Sequence, residues 1–309
     1  MYNHIAKDSL EELFEHLDGA YAPNTLRAYR KDMQEFIAYC EKQSTCPLPA
    51  CPKEVASFLL STTSQGIKAS TIHRKAASIS AIHRLSGLAD PTKHPEVKLC
   101  IRKMNRQLGN RFDQAYTVTR DILQKMLSAC GNDLRGLRDQ ALLHLAYDSM
   151  RRRAELVSFR VEDLVIQADG VGSLLLRRSK TDQFGSGRWI HLSRDTVQAT
   201  IAWLQSADIR HGFLLRGIIA KQTILPDLGT GQVSRIYKLL AKKAHLDQDV
   251  VSGVSGHSMR VGAAQDLLRE GASLPQIMVK GGWTKTDTVM RYVERIHSPQ
   301  QSTHQIPNH

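Results

Sequence analysis

The sequence predicts a mainly α-helical protein in two parts, an all-helical N-terminal domain and a mostly helical C-terminal domain with a small sheet. Three observations carry this reading. Apolar residues recur at helical spacing through the first hundred residues. A polar, aperiodic stretch, GNRFDQAYT at 109–117, separates them from the remainder of the chain. The middle of the second part changes to short strand-like pieces punctuated by glycines. The predicted domains are therefore residues 1–108 and 118–309, joined by a linker at 109–117.

Pro23 opens a helix whose stripe is Leu26, Tyr29, Met33, Phe36, Ile37 and Cys40. The proline-bearing loop from Cys46 to Pro52 ends it, and Val55 to Leu60 reads as a short apolar helix. Ser70 to Leu85 carries Ile72, Ala76, Ile79, Ile82 and His83 on one face, and Gly87 and Pro91 break it. A basic helix spans Pro95 to Leu108. In the second part Thr119 is placed to cap a helix over Ile122 to Ala129, and Asp139 to Tyr147 is a second helix. VGSLLLRRS and GRWIHLS are the strand-like pieces, with Gly170, Gly172, Gly185 and Gly187 as turn signals. Helical patterns resume at Arg194 to Leu204, Val233 to Ala244 and Ser258 to Arg269.

The chain has 309 residues, 41% of them hydrophobic and 23% charged, enough apolar material for real cores. No apolar run reaches the roughly 18 residues of a membrane span, and the first ten residues lack an apolar signal core. The five cysteines, Cys40, Cys46, Cys51, Cys100 and Cys130, are odd in number and contain no C-x-x-C pair. A disulfide framework is therefore not expected, and a cytoplasmic protein is. Cys46 and Cys51 have no histidine near them and make a poor zinc site.

The net charge of +12 favours a polyanionic partner, nucleic acid before membrane. Its distribution sharpens this. Residues 1–65 hold 6 basic and 9 acidic residues, whereas 66–106 hold 9 basic and 2 acidic. Such a local excess beside an acidic stretch reads as a binding face.

Four patches of the second part carry chemistry. They are Arg151-Arg152-Arg153-Ala154-Glu155, Arg177-Arg178-Ser179-Lys180-Thr181, Gly256-His257-Ser258-Met259-Arg260, and Gly281-Gly282-Trp283 followed by Tyr292. Each alone has a plainer reading: a solvated arginine face, a structural histidine, a turn with a core aromatic, a packed tyrosine. Together they suit a phosphodiester. His257 and Arg260 share a helix face, arginines offer bidentate hydrogen bonds to phosphate oxygens, and such donors stabilise the charge gained as a nucleophile attacks. A tyrosine hydroxyl can be that nucleophile. With an ordinary pKa of about 10, only about one in a thousand is ionised at pH 7, so nearby cations or a base must assist. No carboxylate cluster suited to Mg²⁺ lies beside these residues in the sequence, so neither metal nor cofactor is expected.

The order R-x-x-E, lysine in a β-hairpin, H-x-x-R, G-G-W and then tyrosine resembles the tyrosine recombinase (phage integrase) family. The stretches SGHSMRVGAAQDLLREGASLPQIMVKGGWTKTDTVMRYV, AYDSMRRRAELVSFRVEDL and IHRLSGL carry the likeness, which spans roughly residues 20–295. It implies the tyrosine recombinase fold, with a helical, SAM-like core-binding domain ahead of a catalytic domain holding a small antiparallel sheet. It further implies that Arg152 and Arg260 clamp the scissile phosphate, that Glu155 supports the site, that Lys180 is the general acid, and that His257 serves as acid/base and phosphate donor. Trp283 would donate its indole N–H to the phosphate, and Tyr292 would form a 3′-phosphotyrosyl bond.

The R-x-x-E pattern of the resemblance implies Arg152 from the three arginines and leaves Arg151 and Arg153 as flanking charges. The tail after Tyr292 is short, polar and interrupted by Pro299, a departure from relatives whose terminal helix docks into a neighbouring subunit. The glycines of the loop at 182–187 imply a mobile Lys180. Asn24, Thr25, Arg27 and Arg30 on one N-terminal helix, and Lys68, Ser70, His73, Arg74 and Lys75 on another, are the expected DNA contacts, both domains together forming a clamp. The implied partners are double-stranded DNA with inverted recognition arms and three further copies of the chain, a homotetramer on two sites passing through a Holliday junction. Two other readings stay open on the residues alone: a type IB topoisomerase, which uses a similar cluster, and a DNA-binding relative that has lost the chemistry.

Overall fold

The computed structural model describes residues 2–108, 115–179 and 185–293. The chain divides into two compact units, Met1–Asp113 and Gln114–His309.

The first unit is helical: α1 (Tyr2–Leu17), α2 (Pro23–Gln43), α3 (Pro52–Ser64), α4 (Ala69–Leu85) and α5 (Pro95–Leu108). Prolines open α2, α3 and α5, where the missing N–H costs no helical bond. The expected stripes form the core. Leu26, Met33, Phe36, Ile37 and Cys40 of α2 meet Val55, Phe58 and Leu59 of α3 and Ile72, Ala76, Ile79 and Ile82 of α4. The helix expected at Val55 to Leu60 is longer, and α1 is an addition to the expected elements, burying Leu10, Phe14 and Leu17.

Two polar groups lock this core. Asp32 is fully buried and its carboxylate accepts from Arg74 at 2.6 Å and Ser78 Oγ at 2.7 Å, tying α2 to α4. His83 is equally buried; its Nδ1 lies 2.8 Å from Ile79 O and its Nε2 accepts the Ala50 N–H at 2.9 Å. That pairing requires the neutral ring with the proton on Nδ1.

In the second unit α6 (Arg120–Ser128) and α7 (Leu134–Ser149) precede the short α8 (Arg153–Leu156). Strands β1 (Leu164–Ile166), β2 (Gly172–Leu176) and β3 (Arg188–Leu192) form an antiparallel sheet in that order, with Leu174 opposite both Leu164 and Ile190. Then come α9 (Arg194–Ser206), α10 (Thr230–Lys243), α11 (Gln248–Gly253), α12 (Ser258–Arg269), α13 (Leu274–Gly281) and α14 (Thr286–Val293). The main core gathers α7, β2, β3, α9 and α10 around Trp203, whose indole donates to Leu214 O at 2.9 Å. A smaller core of Met150, Ala263, Ala264, Ile277, Trp283 and Val289 lies between the end of α7 and α12 to α14.

One local expectation is corrected. Thr119 precedes α6, but its side chain makes no cap; the Asp266 carboxylate accepts the Arg120 N–H at 2.7 Å instead. Tyr116 N and Val118 N donate to Gly253 O and Ser258 O, so these residues belong to the second unit. Residues 109–114 lie outside the described residues. No helix among the described residues is long and apolar enough to cross a membrane. All five cysteines are free thiols.

Burial holds the His83 imidazole below its ordinary value of 6.5. Below about pH 6.5 the unfolded chain therefore takes up a proton that the native ring refuses, and stability falls as pH falls. The melting temperature should drop between about pH 7.5 and 5.5, and His83→Gln, whose amide oxygen can still accept the Ala50 N–H, should reduce that drop by about 1–3 °C. Melting curves of both proteins at the two pH values check this; an identical drop in each would rule His83 out as a contributor.

Candidate active site

The site is assembled where α7 ends. Its last turn closes on Met150, a fully buried residue in the left-handed region (φ 53°). That turn sends the next two arginines different ways. Arg152, about a quarter exposed, donates from Nη1 to Glu155 Oε1 at 2.8 Å. Glu155 also accepts the Arg152 backbone N–H, at 3.2 Å. Burial would raise the Glu155 carboxyl, but its bonds from Arg152 outweigh that and hold it below the usual range. Glu155 is thus an ionised strut that aims Arg152. Arg151 turns inward and is 4% exposed, donating from Nε to Ser149 O at 2.7 Å and from Nη2 to Lys280 O. The expectation that Arg151 is a flanking surface charge is corrected: the Met150 turn points it into the protein. Arg153 stays exposed, its stem lying under Gly256.

Helix α12 supplies the centre. Arg260 is 2% exposed and donates from Nη1 to Met150 O and, at 2.8 Å, to Gly281 O. Its guanidinium carbon lies 3.9 Å from the centre of the Trp283 ring. Among the described residues its Nη2 has no hydrogen-bond partner, although it is buried. Burial first, and then Arg152 and Arg151, push its pKa down to about 9. His257 stands at the N-terminus of α12 with its ring exposed at the rim. Desolvation by the protein it leans on, followed by the charges of Arg260, Arg152 and Arg153, holds its imidazole below 6.5. At neutral pH it is therefore uncharged.

The G-G-W turn carries the aromatic pair. Gly282 adopts φ +69°, and a side chain on Gly281 would lie 1.9 Å from the Trp283 ring. Each glycine thus has its own reason: one turns the chain, the other lets the indole lie against the backbone. Trp283 is buried and tilted against Tyr292 at 5.9 Å between ring centres. Gln265 of α12 fixes α14 by donating to Tyr292 O at 2.8 Å.

Arg152, Glu155, His257, Arg260, Trp283 and Tyr292 are thereby gathered in one neighbourhood of the second unit. Lys180, with residues 181–184 of its loop, lies outside the described residues, as does the tail at 294–309. Arg188, on β3 beyond that loop, donates to Val279 O at 2.6 Å, a link that nothing in its sequence context announces.

The expected DNA contacts fall on α2 and α4 of the first unit. Asn24 accepts from Arg27 at 2.7 Å, Arg30 pairs with Glu11, and His73 lies 2.8 Å from Asn105. Asn24, Arg27, Lys68, Ser70 and His73 are exposed, and Thr25, Arg30 and Arg74 are half-buried. Lys75 is corrected: it is 4% exposed, paired with Glu35 and lying over the Phe58 ring, so it is an internal cation.

Residues 117–298 match the phage integrase family, and residues 10–86 match the phage integrase N-terminal SAM-like domain. The chain therefore belongs to the phage integrase family, the tyrosine-type site-specific recombinases. Recombinase Cre of Escherichia phage P1 is 30% identical over 298 residues, covering 90% of this chain and 86% of that protein. An integrase/recombinase XerD homologue of Selenomonas ruminantium is 28% identical, covering 90% and 84%. Among solved structures, a lambda integrase fragment bound as a dimer to a core site matches with a TM-score of 0.64 at 17% identity, covering 97% of each chain. The XerH recombinase in a post-cleavage complex with its DNA matches with a TM-score of 0.65 at 15% identity, covering 89% of this chain and 77% of that one. Both show the same fold.

Gly281→Ala should force the Trp283 ring off its seat. Overpacking of this kind costs about 1–3 kcal/mol. Urea denaturation should show a lowered midpoint with an unchanged slope. An unchanged midpoint would mean that the indole has room to move aside.

Proposed function

We propose that the protein cuts and rejoins DNA at specific sites through a 3′-phosphotyrosyl intermediate. One observation carries this reading: Arg260 is buried as a cation, its Nη2 is unpartnered among the described residues, and Arg152, His257, Trp283 and Tyr292 surround it. A buried, unsatisfied donor costs about 1–3 kcal/mol, which a phosphate oxygen in that place recovers.

The groups define the chemistry. Tyr292 Oη attacks the scissile phosphorus as the bond to the 5′-oxygen breaks. Arg152 and Arg260 hold the two non-bridging oxygens, and the charge gained in the transition state meets donors already in place. Neutral His257 accepts the tyrosine proton, and Lys180 gives a proton to the departing 5′-oxygen. The Trp283 indole is a further donor to the phosphate. The phosphotyrosyl bond conserves the energy of the phosphodiester, so a 5′-hydroxyl of another strand can reverse the step onto a new partner. ATP, metal and cofactor have no assigned part.

The exposed and half-buried members of the α2 and α4 sets, Asn24, Thr25, Arg27, Arg30, Lys68, Ser70, His73 and Arg74, would contact DNA. The two domains, 1–108 and 118–309, would share that binding. Two strand exchanges through a Holliday junction then require a homotetramer on two sites with inverted arms, working in the cytoplasm where the DNA is.

Tyr292→Phe should bind a site-bearing duplex as the native protein does and give no covalent band from a nicked suicide substrate on a denaturing gel. A band that survives moves the nucleophile elsewhere. With two sites on one plasmid the native protein should yield recombinant circles; relaxation alone would favour a topoisomerase, and neither product a binding protein. Cleavage should also persist in about 10 mM EDTA, because guanidiniums meet the phosphate charge; a loss restored by Mg²⁺ would overturn that assignment.

A further inference from the structure

Helix α13 ends in a tight turn. Gly282 N donates to Val279 O and Trp283 N donates to Met278 O, which together satisfy two of the carbonyls that any helix leaves free at its C-terminus. Lys280 O and Gly281 O remain. Each is taken by a guanidinium: Lys280 O by Arg151, and Gly281 O by Arg260 at 2.8 Å. A third arginine, Arg188, adds a second bond to Val279 O at 2.6 Å. Three successive carbonyls at the negative end of one helix therefore meet three cations from three different segments. Of these, Arg260 belongs to the phosphate site, and Arg188 is exposed on β3.

Arg151 is different. Its side chain bridges two backbone oxygens, Ser149 O at the end of α7 and Lys280 O at the end of α13. Its third nitrogen lies 2.7 Å from where a side chain on Gly282 would begin, so the guanidinium lies close against the turn. The Lys280 side chain reinforces the tie by donating to Asp148 of α7 at 3.1 Å. An apolar residue at 151 would fill the same space and leave Lys280 O without a side-chain donor. The surroundings do not favour a charge for its own sake: burial, Arg188 and Arg152 push the Arg151 pKa down to about 10, against the attraction of Glu155. What the arginine uniquely supplies is reach to both carbonyls at once.

We propose that Arg151 is a positioning residue: by pinning the end of α13 to the end of α7, it sets the Gly281–Trp283 turn and so holds Trp283 over Arg260 and Tyr292 in line for attack. The inference rests on the phosphate-transfer reading of the site. It gives Arg151 a part in the rate of the chemical step and none in DNA affinity, since the side chain is buried beneath the site.

The test compares native protein, Arg151→Met and Arg151→Lys on a nicked suicide duplex under single-turnover conditions. Melting curves and a binding titration accompany each. Arg151→Met should bind the duplex within about threefold of native. Its covalent-complex rate at saturating DNA should fall about thirty- to a hundredfold, the scale of a misplaced nucleophile. Arg151→Lys, which keeps one donor for Lys280 O, should recover part of the rate. Cleavage by Arg151→Met at the native rate overturns the proposal. So does a loss of affinity that low salt restores, which marks a peripheral phosphate contact. If Arg151→Met does not fold, Arg151→Lys decides: folded with native cleavage, or unfolded as well, it overturns the positioning role. Failure of the native protein to give any Tyr292-dependent covalent product would instead strike the underlying reading of the site.

Discussion

The second unit depends on one buried guanidinium serving two masters. Arg260 donates from a single nitrogen to Met150 O and Gly281 O, which belong to segments far apart in the chain. Those bonds join the turn after α7 to the turn after α13. The same side chain carries the ring of Trp283 on its face and leaves another nitrogen unpartnered among the described residues. Structure and the proposed chemistry therefore share one group. Free energies measured on substituting Arg260 combine the loss of the proposed phosphate ligand with the loosening of two turns, and they will not add simply to those of its neighbours.

The electrostatics around it are unbalanced. Arg151, Arg152 and Arg260 crowd one region, and Glu155 is the carboxylate that answers them. The backbone takes up part of the imbalance. Carbonyls of α13 and of the α7 turn receive guanidiniums that a globular protein would ordinarily pair with acids. Backbone dipoles hold a cation without neutralising it, so the field stays available to an incoming anion. A carboxylate in their place would neutralise the guanidiniums and weaken that field.

How much of this is legible in residues alone varies with the kind of constraint. Arg152, His257, Arg260, Trp283 and Tyr292 could be singled out because the order of their motifs resembles the tyrosine recombinase family, and the fold brings them into one neighbourhood. Helices α2 and α4 are legible because their stripes are regular. Lys75 shows how a pattern can be overruled: it sits three residues after Ile72 and four before Ile79, inside the buried stripe, so Glu35 and not solvent receives its charge. Helix α1 has its signal in the spacing of Leu10, Phe14 and Leu17, submerged among acidic residues. Arg151 and Arg188 have none. Their partners are backbone oxygens brought near by the fold, and a carbonyl leaves no mark in a sequence.

The turn at Met150 has a consequence for how this protein can change. A non-glycine residue at φ 53° strains the backbone, by about 1 kcal/mol relative to glycine. Yet the side chain there is wholly buried and fills the small core shared with Ile277, Trp283 and Val289. Glycine would relax the main chain and empty that core; a β-branched residue would keep apolar volume there and worsen the strain. Neither substitution satisfies both demands, so position 150 balances backbone strain against core volume. Improvement there has to arrive as a paired change, with a neighbour such as Ile277 or Val289 growing to occupy the volume that a smaller residue gives up.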